Sequence, residues 1–395
     1  MNSIHHNAEC FSFDTERLIF STCTKYGPHN ACPALQFNRM PKMANIAANR
    51  KMMNELREIA ANTRPAETGP HERTLMAWPH REDLYGDLLE PMRDSYAQIA
   101  RAIARFEPLL MIAHPDHAAS ARRTLGNEIE VVEMPIDDCW IRDSGPTYVH
   151  KPDGSRQAVD WRFNAWGGKH HPWDEDAKLA GRIGARQGEE VRKSWLYCEG
   201  GSLACDGEGT LVVTETSILN PNRNPGVNKA LATEELKAML GVEKVIWLPG
   251  DPMDIETDGH IDGMLAFVRP GVVLFESNPN SADPHARILD ANRKVLAGET
   301  DARGRPFRII DLPEAWDVVE TSDTFCRSYI NFALVNGAVL VPAYGVNGDA
   351  EAQAIIADAF PDREIIAINV SAIAPGGGAI HCITQEVPAI LTVAG

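Results

Sequence analysis

The chain has 395 residues, 44% of them apolar, which is enough to bury one large core or two ordinary ones with no need of disulfides or a metal to fold. Its 55 acidic residues against 38 basic ones give a formal net charge of -17, which repels a nucleic-acid backbone or an anionic membrane at long range and tolerates or attracts a small cation. The cysteines at 10, 23, 32, 139, 198, 205, 326 and 382 have neither the density of a disulfide scaffold nor paired C-x-x-C metal spacing, so reduced thiols in a cytoplasm are expected. The first residues place charge and histidine where a secretory signal would be apolar, and no segment offers about 18 continuous apolar residues, so neither export nor a membrane span is expected.

In chain order, residues 1–43 show no sustained period and read as an appendage; a helix is predicted from about residue 44, and residues 44–395 read as one domain. Beyond it the architecture repeats. Helical patterns begin near His117, Asp176, Asn228, Ala286 and Asp349, and each leads to a short apolar strand, at 128–136, 191–197, 243–249, 306–313 and 363–370. Further strand signals lie at 74–79, 210–216, 263–277 and 329–344, and give each unit extra strands. Loops at 137–143, 198–201, 250–262 and 374–382 follow four of the five repeated strands and hold most of the unusual polar residues. Groups at the same end of repeated strands converge if the repeats surround an axis, although an open sheet of α/β units also gathers its active loops at strand ends.

Residues 374–382 place Cys382 just after Gly376-Gly377-Gly378, where the backbone can approach a ligand and a thiol stands clear of crowding. Cys382 is therefore the expected nucleophile, with Gly377 in its binding loop. Between 256 and 262, three acids surround His260, and an extended backbone would put His260 and Asp262 on one side, an acid/base group beside a cation-binding carboxylate. Zinc held by His260, Asp262 and Cys382 is the rival reading; the lack of a second histidine at ligand spacing argues against it, and no metal or cofactor is expected. Residues 137–146 combine Trp140, Arg142 and Asp143, the residue types that hold a planar cation between an aromatic face and a carboxylate; a surface loop with an internal Arg142 to Asp143 pair is the plain alternative. Glu199-Gly200-Gly201 is a weaker signal, because an acid before two glycines often marks only a turn.

Taken together, these four segments resemble the agmatine deiminase family of the guanidino-modifying pentein superfamily. The resemblance extends from residues 64–67 and 71–79, through 220–225 and 328–332, to the cysteine motif, covering nearly the whole chain after the appendage. It implies an α/β fold, a pentein propeller of five ββαβ-type units around a pseudo-fivefold axis. It implies Cys382 as nucleophile, His260 as catalytic histidine held by Glu199, Asp143 and Asp262 as guanidinium-binding aspartates, and Glu256 in substrate binding. The implied substrate is agmatine, a small cationic guanidine, and the activity its hydrolysis to N-carbamoylputrescine and ammonia in polyamine metabolism. Deimination of arginine, methylated arginine or peptidyl-arginine is the alternative, as is a silent guanidino-binding propeller; a homo-oligomer stays open. The chain departs from the family at 66–70, at 250–254 and at Gly263, where Asn or Glu commonly follows the H-x-D pair. Those departures lie mainly at the periphery of the site, away from the reaction centre, and leave open what lies at the other end of the substrate. A cysteine among carboxylates is expected to have a raised pKa.

Overall fold

The computed structural model describes residues 62–319 and 322–391; the expected appendage at 1–43, and all but the last residue of the helix predicted from 44, lie outside them. The described residues fall in one compact unit of α/β class built from five separate sheets. Four sheets share one plan, an antiparallel hairpin whose second strand pairs in parallel, across a helix, with a third. They are β4 (Thr147–His150), β5 (Arg156–Arg162) and β6 (Glu190–Tyr197); β7 (Ala204–Cys205), β8 (Thr210–Thr214) and β9 (Lys244–Leu248); β10 (Leu265–Arg269), β11 (Val272–Ser277) and β12 (Arg308–Pro313); and β13 (Ala333–Val335), β14 (Ala338–Ala343) and β15 (Glu364–Asn369). The fifth sheet joins the two ends of the described chain: β1 (His71–Ala77) pairs antiparallel with β16 (Gln385–Pro388) and parallel with β2 (Leu109–Ala113), which carries β3 (Glu130–Glu133).

The middle strands are buried on both faces, which is why β8 and β11 read as nearly unbroken apolar runs, whereas β12 and β15 sit at sheet edges and are only partly covered. The crossover helices Leu179–Arg186, Lys229–Leu240, Pro284–Ala297 and Gly348–Ala359 begin where the sequence places them, each within three residues of the expected start. Helix Lys229–Leu240 illustrates why. The Asn228 side chain accepts from the Leu231 amide at 2.9 Å, Gly241 ends the helix at φ 66°, and Ala232, Leu236, Met239 and Leu240 form its one buried stripe. Truncating the fully buried Leu236 to alanine would cost about 2–5 kcal/mol.

Among the elements that escape the sequence reading are the sixteen-residue helix Leu89–Ala104, strand β2 after it, the hairpin of β4 and β5, and the short strands β7 and β16. Pro91 looks like a helix breaker, but it occupies the first turn, where its missing N–H has no intrahelical partner to lose. Among the described residues no helix is long and apolar enough to cross a membrane.

Candidate active site

The loops after β3, β6, β9 and β15 bring Asp143, Glu199, His260, Asp262 and Cys382 together, and all five are buried. The backbone around His260 is not extended. His260 precedes a single 3-10 turn, Ile261–Gly263, so it is this turn rather than strand alternation that presents His260 and Asp262 together. His260 Nε2 lies 3.3 Å from Glu199 Oε2, while Nδ1 is 3.8 Å from Asp143 Oδ1 and has no hydrogen-bond partner. Burial alone would lower the His260 pKa, but Asp143 and Glu199 outweigh it and lift the imidazole to about 9.

Glu199 is fixed from its other side by Arg223, whose Nε donates to Oε1 at 2.8 Å. Burial would raise this carboxyl, yet Arg223 and His260 bring it down to about 2, so it is a permanent anion behind the histidine. Asp143 accepts from Trp166 Nε1 at 2.9 Å and from the Gly201 amide at 2.9 Å; burial, with Asp262 and Glu199 nearby, raises its pKa. A Cβ on Gly201 would stand 2.5 Å from His260 Nδ1, 2.9 Å from Asp143 Oδ1 and 3.0 Å from Asp262 Oδ2, so glycine there leaves open the space between these three groups.

Cys382 is 6% exposed, with Sγ 3.6 Å from Asp262 Oδ2. Burial first, then Asp262 and Asp143, push its thiol well above the usual range, as the sequence led one to expect. Asp262 accepts from His381 Nδ1 at 2.8 Å, and this contact with His381 overcomes burial to keep its pKa low. His381 in turn reaches Glu67 through Nε2 at 3.0 Å.

Asn331 is a residue that the sequence reading quoted without a role. Its Nδ2 donates to Cys382 Sγ at 3.1 Å, and its Oδ1 accepts from the amides of Ala379 and Cys382 at 3.0 and 3.2 Å, pinning the cysteine turn. It comes from the loop after β12, the one repeated strand whose loop offered no candidate. Trp166, Arg223, Gly201 and His381 were likewise given no role at the site.

The remaining expected residues take other positions. Trp140 packs against the glycine run, where a Cβ on Gly376 or Gly378 would meet its ring at 2.8 or 2.6 Å, and its Nε1 donates to Tyr85 Oη at 3.1 Å. Gly377 has φ +87° and lies under the Glu256 side chain, whose Oε1 is 2.5 Å from His170 Nε2. Gly377 lines the cavity that holds Cys382. Arg142 pairs with Glu386 at 2.8 Å and Glu67 at 3.2 Å rather than with its neighbour Asp143. Among the described residues, the His, Cys, Asp or Glu ligand atoms that gather within 4.8 Å of one another are those of Glu276, His285 and Glu314, not the set His260, Asp262 and Cys382 that zinc would use.

Residues 63–388 match the family described as Porphyromonas-type peptidyl-arginine deiminase. The agmatine deiminase of Stutzerimonas stutzeri is 39% identical over 349 residues, 82% of this chain and 95% of its own, and that of Pseudomonas aeruginosa strain LESB58 matches to the same extent. Among solved structures, the agmatine deiminase of Enterococcus faecalis superposes with a TM-score of 0.80 at 33% identity, covering 84% of this chain and 97% of that one.

Proposed function

This chain belongs to the Porphyromonas-type peptidyl-arginine deiminase family, and we propose that it is an agmatine deiminase, hydrolysing agmatine to N-carbamoylputrescine and ammonia. The observation that carries this reading is the space shared by Cys382 Sγ, the unpartnered His260 Nδ1 and the carboxyls of Asp143 and Asp262. Such a space accepts a planar cation and offers it a nucleophile and a proton donor.

Asp143 and Asp262 grip the guanidinium by charge-assisted hydrogen bonds and set its carbon against Cys382. The arriving positive charge favours ionisation of the thiol, whose proton leaves to solvent, and the thiolate forms a carbon–sulfur bond. His260, charged through its pairing with Asp143 and Glu199, gives its proton to one nitrogen; that carbon–nitrogen bond breaks and ammonia departs. An amidino-thioether remains. Neutral His260 then takes a proton from water as the oxygen attacks the same carbon; the carbon–sulfur bond breaks to return the thiolate, and the remaining hydroxyl proton passes to solvent or the departed ammonia as the ureido product forms. Trp140, Glu256 and Gly377 contribute to binding the substrate, and the reaction uses no metal.

The cavity around Cys382 is lined by seven carboxyl side chains, with His260, His285 and Arg327 as its cations, which suits a doubly charged guanidino amine. Arg142 is committed to Glu386 and Glu67, and Arg223 to Glu199 and Asp258, leaving neither to receive the carboxylate of arginine. The same reading takes residues 44–395 as one catalytic domain acting in the cytoplasm in polyamine synthesis. The five units as a ring around a pseudo-fivefold axis are part of it; support comes from β16 pairing with β1, and from helix Leu89–Ala104 of the first unit packing on β15 of the last. Turnover of agmatine against arginine tests the function: agmatine should be favoured in kcat/KM by about 100-fold or more, and comparable constants would overturn the assignment of substrate.

A further inference from the structure

Beyond β5 the backbone turns left-handed for four residues in succession, at φ 50° for Ala165, 53° for Trp166, 93° for Gly167 and 78° for Gly168. Glycine adopts this region freely, but a residue bearing an indole is strained there, and such strain persists only where the surroundings over-determine it. Here they do. Asn164 Oδ1 accepts from the Gly167 amide at 2.9 Å, its Nδ2 donates to Asn222 O at 3.0 Å, and a Cβ on Gly167 would stand 2.5 Å from the Asn222 side chain. Just after the turn, Lys169 Nζ donates to Glu256 O at 2.7 Å and to Asp258 Oδ2 at 2.8 Å. What the turn presents is Trp166, buried and edge-on to Phe163 and His170 at ring-centroid distances of 5.3 and 5.6 Å. Its Nε1 donates to Asp143 Oδ2 at 2.9 Å, while Oδ1 of the same carboxyl accepts from the Gly201 amide and faces the space shared with His260 and Asp262.

We propose that Trp166 is a positioning residue for the deimination: the left-handed turn aims its N–H at Asp143, which fixes one carboxyl oxygen, turns the other to the guanidinium and favours the ionised clamp. The proposal rests on the deiminase reading, in which Asp143 grips the substrate. Asp143 lies among Glu199, Asp262 and the thiols of Cys198 and Cys382, with His260 as the cation that faces it. Burial, and then Asp262 and Glu199, raise its pKa against the pull of His260 and of the Trp166 N–H. A donor to a buried carboxylate stabilises the charged form, and only that form pairs with a cation. Packing against Phe163 and His170 needs no more than a ring; the hydrogen bond to the clamp needs an indole.

The experiment follows kcat/KM for agmatine from about pH 5 to about pH 8 in the native protein and in Trp166→Phe, which keeps a ring and removes the donor. Without the donor the Asp143 pKa rises further, so the acid limb of kcat/KM should move up by about one pH unit. Below the limb this is a loss of about tenfold, carried by KM, and it should shrink as pH rises toward about 8. Gly167→Ala, which keeps the indole but meets Asn222, should move the limb in the same direction; Gly304→Ala, in the turn before β12 at φ +79° with nothing within 4 Å of the added Cβ, should leave it in place. If Trp166→Phe fails to fold, the benzothiophene analogue of tryptophan at position 166, with sulfur in place of the N–H, should give the same shift. A folded protein lacking the donor whose kcat/KM falls equally at every pH, or not at all, would make Trp166 a packing residue and overturn the proposal, with the deiminase reading left standing. No ammonia from agmatine with the native protein would overturn that reading itself.

Discussion

Replacing Gly201 with alanine tests the site through its empty space rather than through its functional groups. The added carbon would lie 2.5 Å from His260 Nδ1, about 0.9 Å short of the 3.4 Å at which ordinary contact begins, and it would also press on Asp143 and Asp262. His260 has little room to retreat, because its other nitrogen abuts Glu199, itself fixed by Arg223. A displacement of about 1 Å at reacting groups costs on the order of 100-fold in rate, which corresponds to about 2.7 kcal/mol of barrier. Overpacking adds a stability cost of about 1–3 kcal/mol. Ammonia release from agmatine and thermal unfolding, measured on the same preparation, separate the two effects, with Gly298→Ala at a remote helix end as the control. Gly201→Ala that folds and keeps kcat/KM within about twofold of the native value would refute the view that this space belongs to the substrate.

Cys382→Ser should bind agmatine and release no ammonia, and acid-quenched native enzyme should carry an added amidino mass on the Cys382 peptide; substantial turnover by the serine variant would remove Cys382 from the mechanism. The pH dependence should follow His260. Its folded pKa of about 9 lies above the ordinary 6.5, so kcat at saturating agmatine should fall as pH rises toward and through about 9, with the bound cation drawing that limb downward. The stability contributed by this histidine is fully present below pH 6.5 and is lost as pH rises through about 9. Glu199→Gln should move the limb to lower pH, and a limb that stays in place would show that another group controls it.

The gathering of the candidate site was legible in the sequence wherever the loop after a repeated strand carries an unusual run of polar residues. Asp143, Glu199, His260 with Asp262, and Cys382 each stand in a loop after β3, β6, β9 or β15, and the periodic units suffice to predict that those loops meet. Asn331 escaped because the loop from β12 runs from Glu314 almost to β13 before delivering it, so proximity in sequence to a strand end carried no signal. The partners of Arg142 escaped for a different reason. Local composition suggested Asp143, whereas burial beside β16 and the start of β1 pairs it with Glu386 and Glu67, far away along the chain. The partners of Glu256 and Asp258, namely Lys169, His170 and Arg223, lie more than thirty positions away along the chain and so left no local signal. Helix Leu89–Ala104 was obscured by a proline whose meaning depends on which turn of the helix it occupies.

The pairing of β16 with β1 bears on how the enzyme comes into being during synthesis. The turn that carries Cys382 leads directly into β16, and Glu386 on that strand forms a buried ion pair with Arg64, 322 positions away. A nascent chain emerging from the ribosome can fold its middle units from contacts close in sequence, but it cannot pair β16 with β1 until residues 385–388 are free to reach back to that sheet. Such long-range closure is a slow step in folding. Polypeptides cut short before β16 would therefore be inert however well their other units fold, and a half-made chain would have no competent thiol with which to attack cellular guanidines.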